Sequence, residues 1–120
     1  MYRIVFYKTQ RGDSPFDSFL EGHNDKVRAK FIKLMTVLRE HGPNLKRPYA
    51  DILRDGIREL RVGLAGDTYR ALFFFFVGKT IVITHAFMKK TDKVAPEEIE
   101  RALRYKRDFE ERAAQGEFDL

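Results

Sequence analysis

The side chains in this chain that could do chemistry are mostly cations. Glu59-Leu60-Arg61-Val62 sets an acid and a guanidinium two positions apart, Tyr69-Arg70 follows, and Lys89-Lys90 closes a run that includes His85. Arg70 offers a planar fork that matches two phosphate oxygens and stays charged, unless it is spent on a salt bridge to Glu59 or Asp67. Arg61 reaches the same phosphate if its segment pairs antiparallel with that of Arg70 around the Gly63 to Asp67 turn. Lys89 and Lys90 point to opposite faces of a strand, so at most one shares a pocket with Arg70, as a contact to a phosphate backbone. A lysine among arginines has its ammonium form disfavoured and can then move a proton. His85 would be the natural proton shuttle, yet its parity with Ile81, Ile83 and Phe87 places it in the interior. Glu59 orients Arg61, accepts a proton or forms a structural ion pair. Tyr69 and Tyr105, each beside cations, are candidate stacking platforms for a base.

The charge distribution agrees with a polyanionic partner. From Pro96 onward there are five Lys/Arg against eight Asp/Glu, so residues 1–95 hold eighteen against ten and form a basic body before an acidic tail. Such a body suits RNA, DNA or a ribosome surface. Cysteine is absent, which removes disulfides, thiolate nucleophiles and sulfur-ligated metals. None of the three histidines is spaced with another and a carboxylate for metal binding, and no cofactor is expected. A chain of 120 residues is read as one domain, since two halves would each bury too little surface. No apolar run approaches the roughly 20 residues of a spanning helix, and the N-terminus alternates where a signal peptide would be continuously apolar. A cytoplasmic location without membrane contact is expected.

The elements that must position these groups follow from patterning. Tyr2 to Tyr7 reads as a strand. Ser14-Pro15-Phe16-Asp17 starts a short helix that ends near Gly22, with Ser14 as cap and proline at the first helical position. Asn24 caps a second helix whose stripe is Val27, Phe31, Leu34, Met35 and Leu38, and His41-Gly42-Pro43 stops it. Residues 43–56 read as a basic connection carrying Lys46, Arg47 and Arg54, with one helical turn around Tyr49 to Leu53. Ile57 to Leu64 alternates, with Leu60, Val62 and Leu64 on one face and Glu59 with Arg61 on the other. Phe73-Phe74-Phe75-Phe76 lacks a polar face and reads as a central strand covered on both sides. Gly78-Lys79 turns into a strand from Thr80 to Phe87, and Pro96-Glu97-Glu98 opens a last helix. The sum is an α+β domain in the order strand, helix, helix, three strands, helix, with a small, mostly antiparallel sheet packed by helices.

Glu59-Leu60-Arg61-Val62, Tyr69-Arg70 before an aromatic strand, His85-Ala86-Phe87-Met88-Lys89-Lys90-Thr91 and Pro96-Glu97-Glu98-Ile99, in that order, resemble the RelE/ParE toxin superfamily. The closest resemblance is to its HigB-like branch, which includes small phage-derived proteins. The resemblance runs from Tyr2 to about Phe109. It implies the toxin of a type II toxin–antitoxin pair, a metal-independent endoribonuclease that enters the ribosomal decoding site and cuts messenger RNA there. The implied partner is a helix-turn-helix, HigA-like antitoxin, through which alone operator DNA would be bound. It further implies phosphate stabilisation by Arg70, with Arg61, Lys89 and His85 as companions in catalysis. Lys46, Arg47, Arg54, Tyr69 and Lys90 would hold RNA. Glu59 departs from relatives with a base at that position and leaves the proton acceptor open. The ParE branch acts on DNA gyrase, so a gyrase inhibitor, a non-cleaving inhibitor of translation and a noncatalytic RNA-binding protein are the other readings.

Overall fold

The computed structural model describes residues 1–119. In chain order the elements are β1 (Arg3–Phe6), α1 (Pro15–Glu21), α2 (Asp25–His41), β2 (Ala50–Arg54), β3 (Ile57–Leu64), β4 (Asp67–Phe76), β5 (Thr80–Lys89) and α3 (Pro96–Ala114). Both helix starts use the expected caps. Ser14 Oγ accepts from the Asp17 N–H at 3.2 Å, and Asn24 Oδ1 accepts from the Val27 N–H at 3.0 Å. Gly42 ends α2 at φ 54°, where an added Cβ would lie 2.3 Å from a Tyr2 ring carbon, so any larger residue collides with the Tyr2 ring just before β1.

The sheet has five strands in the order β1-β5-β4-β3-β2. β1 runs parallel to β5, and every other neighbouring pair is antiparallel. β2 corrects the expected connection with a helical turn. It pairs with β3, Asp51 opposite Glu59, across an Asp55-Gly56 turn with φ of 52° and 82°. Two consecutive positive φ values suit a tight hairpin, and the otherwise bare hydrogen-bonding edge of β3 favours a strand over a turn of helix.

Alternation sends successive side chains to two cores. Phe16, Phe31 and Leu38 of the first two helices meet Leu60, Phe73, Ile81 and Ile83 on one face. Ala102 and Phe109 of α3 meet Ile57, Leu72, Phe74 and Val82 on the other. Phe73 and Phe74 are each 1% exposed, so β4 is covered on both sides, as its apolar run predicts.

A bulge in β5 breaks one expectation. Phe73 pairs with Ile83 but Leu72 pairs with His85, leaving Thr84 as an extra residue. The extra residue reverses parity, so His85 leaves the Ile81 and Ile83 face and turns, with Phe87, toward α3. At the far end of α3, Arg112 Nη2 donates to the Lys8 carbonyl while its guanidinium stacks over Tyr7 and Phe118, tying the helix end to β1. Among the described residues no helix is long and apolar enough to cross a membrane.

Candidate functional site

β2, β3, the end of β5, the loop that follows it and the start of α3 line a groove of about 300 Å³. Register explains who lines it. Arg61 lies opposite Arg70, Asp51 opposite Glu59, and Lys89 opposite Thr68, all with side chains on the α3 face. Arg47, Arg54, Arg61, Lys89 and Lys93 face three carboxylates, Asp51, Glu59 and Asp92, leaving the groove net positive; Val94 and Ile99 supply its apolar wall.

Arg70 does not line this groove; it lies beneath it. Its side chain and that of Glu59 are each 5% exposed, with Arg70 Nε 2.6 Å from Glu59 Oε1. Arg70 Nη1 donates to the Tyr69 carbonyl at 3.0 Å. Burial, and then the nearby Arg61 charge, push the Arg70 pKa down, opposed by Glu59; an arginine so placed still keeps its proton. Arg61, 26% exposed, holds the other Glu59 oxygen at 3.4 Å. Glu59 therefore sits between two guanidiniums, one sealed in the sheet and one open to the groove. Arg70 is thus in the salt bridge to Glu59 that the sequence left open as the alternative to a phosphate contact, and Glu59 is in its ion-pair role.

The remaining cations divide by position. Arg47 Nε donates to Asp51 Oδ2 at 2.8 Å, and this hydrogen bond is the main reason the Asp51 carboxyl is held below its ordinary pKa. Arg54 bonds Asp55 and Glu100, bridging β2 to α3. Lys89 faces the groove, whereas Lys90 is exposed and absent from its lining. Lys46 lines a separate depression beside Pro43, Ile52 and Arg58. Tyr69 points to the other face, 5% exposed, against Phe19, Phe31 and His23. Tyr105 stacks on Tyr7 with centroids 4.5 Å apart. Lys93 and Asp51 joined the groove unforeseen. Lys93 lies in a loop without period, and Asp51 is on the strand that the sequence reading made a connection.

His85 is 1% exposed and stands apart from the groove cations. Its Nε2 lies 3.1 Å from Glu98 Oε1 and its Nδ1 lies 3.0 Å from Thr84 Oγ1. Burial first, then Arg101 and Arg104, lower its pKa from 6.5 to about 3. A group charged in the unfolded chain but neutral in the fold costs stability as pH falls below its unfolded pKa. Between roughly pH 7 and pH 5 the histidine is expected to withdraw about 2 kcal/mol of stability. Burial raises the Glu98 pKa, so native proton uptake there works in the opposite direction. The check is chemical unfolding of the wild type and His85→Gln across that range. The wild type should lose more stability on acidification; equal pH slopes would rule out a neutral buried imidazole.

In chemical terms the groove offers an anion several cations and an apolar wall. Arg61 and Lys89 are partly open and stand on β3 and β5, on either side of β4, with Arg61 backed by the Glu59–Arg70 pair. Comparison with known proteins adds a family. The family described as Phage derived protein Gp49-like (DUF891) matches residues 18–107, three quarters of the chain, and spans α2 and every groove-lining residue. No curated protein matches the chain.

Proposed function

Because the chain belongs to the Gp49-like phage-derived protein family, which is RelE/toxin-like, we propose that it is the toxin of a type II toxin–antitoxin system. In this reading it is a HigB-like, ribosome-dependent endoribonuclease that arrests translation in the cytoplasm. The observation that carries the reading is the net-positive groove lined by Arg61 and Lys89, with Arg61 held over the Glu59–Arg70 pair. In RNA cleavage by the 2′-hydroxyl, the 2′-oxygen bonds to phosphorus, the bond to the 5′-oxygen breaks, and the phosphorane between them carries extra negative charge. Arg61 and Lys89 meet that charge, Arg47 and Lys93 hold flanking phosphates, and Arg70 fixes Glu59, which fixes Arg61. The ribosome supplies the alignment of hydroxyl, phosphorus and leaving oxygen. A helix-turn-helix antitoxin would neutralise the protein and carry any operator binding.

The placement of His85 favours a second reading. The one imidazole on the sheet is sealed beside Glu98 and away from the groove, as suits a protein that occupies its target without cutting. One experiment separates the two: purified protein is added to a reconstituted translation reaction and message 5′ ends are mapped by primer extension, with and without ribosomes. Cuts that need ribosomes are expected. Translation stopped on intact message would establish the non-cleaving inhibitor instead, and normal translation on intact message would move the target to gyrase or remove toxicity altogether.

A further inference from the structure

The opposite side of β3 carries a larger groove, about 640 Å³, between α2 and the Pro48-Tyr49 turn. Lys30, Lys33, His41 and Arg61 line it over a floor that includes Val62, and no carboxylate lines it among the described residues. β2 begins at Ala50, opposite Leu60, and the last bond across to it is from Arg61, so from Val62 onward β3 is itself the sheet edge. Arg61 lines both grooves, so the two adjoin at this residue. Lys30 Nζ donates to the Gly63 carbonyl at 2.9 Å, which pins its charge at the rim. The Arg61 N–H donates to the Tyr49 carbonyl at 2.8 Å, which holds the Tyr49 backbone against β3 at this edge. Tyr49 is 50% exposed, unlike the buried Tyr69 and the stacked Tyr105.

We propose that this α2 groove binds the single-stranded RNA leading away from the nucleotides held in the first groove. Its phosphates run along Arg61, Lys33 and Lys30, and one base stacks on Tyr49. The inference rests on the RNA reading above and adds a path for the flanking strand. A carboxylate-free lining selects a polyanion, and an exposed ring in a cationic groove offers a face to any base without selecting sequence. Continuity through Arg61 favours RNA over an acidic protein segment, because a strand lying in the first groove passes this residue on its way out.

The test is fluorescence anisotropy with labelled single-stranded RNAs of about 3 and about 12 nucleotides, without ribosomes and at low salt. The longer RNA should bind more tightly, and Tyr49→Ala should weaken it by about 5- to 150-fold, the range for one lost base stack. Tyr49→Phe keeps the ring and should bind as the wild type does, which guards against a folding defect. Lys33→Ala should reduce the salt slope for the longer RNA by about 0.7. Unchanged binding by Tyr49→Ala, equal losses for both lengths, equal affinity for a duplex, or no binding of free RNA would each overturn the path. The nuclease reading is judged separately, by ribosome-dependent cutting in the wild type, so either can fail alone.

Discussion

Replacing Arg70 by methionine is expected to cost about 3–5 kcal/mol of folding stability, since it leaves the Glu59 carboxylate buried opposite a neutral side chain. Both side chains are 5% exposed, and Arg61 holds Glu59 only at 3.4 Å from a partly open position. Against a typical stability of about 5–15 kcal/mol, that loss unfolds a sizeable fraction of a marginal domain. The pair is costly to break and cheap to replace. A buried ion pair exchanged for apolar side chains of similar volume is often neutral, so Glu59→Leu with Arg70→Met should regain most of the loss and stand within about 1–2 kcal/mol of the wild type. Urea unfolding of the two single variants and the double measures the coupling. Additive losses would show that the two groups do not depend on each other. A consequence follows for function: a non-toxic Arg70→Ala is ambiguous, because a partly unfolded toxin is also silent.

The local elements were legible because their signals are local. Ser14, Pro15 and Asn24 announce the two helix starts, and alternation from Leu60 to Leu64 announces the face of β3. β2 was hidden because Pro43, Pro48 and Gly56 punctuate its surroundings and its Ala-Asp-Ile-Leu-Arg stretch has little apolar period. Asp55-Gly56 was the available hairpin signal. The β5 bulge was invisible for a different reason. Thr84 is polar but fully buried, its hydroxyl bonded to the Leu72 carbonyl at 3.1 Å, so nothing in the run from Thr80 to Phe87 marks where parity reverses. The place of Arg61 on the α3 face could be read from alternation, but that of Lys89 could not, because it depends on the parity reversal at Thr84. The burial of Arg70 could not be read either, because the Glu59 salt bridge was legible as an option but nothing local shows that the pair is sealed from solvent.

Removing the groove cations should damage chemistry while sparing the fold. Arg61→Ala and Lys89→Ala are each expected to slow ribosome-dependent cleavage by about 10²- to 10³-fold, the usual consequence of losing one donor to a developing anionic charge. Stability should change by no more than about 1 kcal/mol, because Arg61 is partly exposed and Glu59 keeps Arg70, so no buried charge is orphaned. Primer-extension rates under saturating ribosomes measure the effect, with Lys8→Ala, an exposed charge just beyond β1, as the control for general loss of positive charge. The double variant is informative in its own right. If both cations touch the same phosphorane, removing the second after the first costs less than its single effect, since the site has already lost its aligned geometry. Fully multiplicative losses would place them on different phosphates, with Lys89 a binding contact whose removal raises KM and leaves kcat alone. Wild-type rates in both single variants would remove the groove from the reaction and leave a protein that acts by binding.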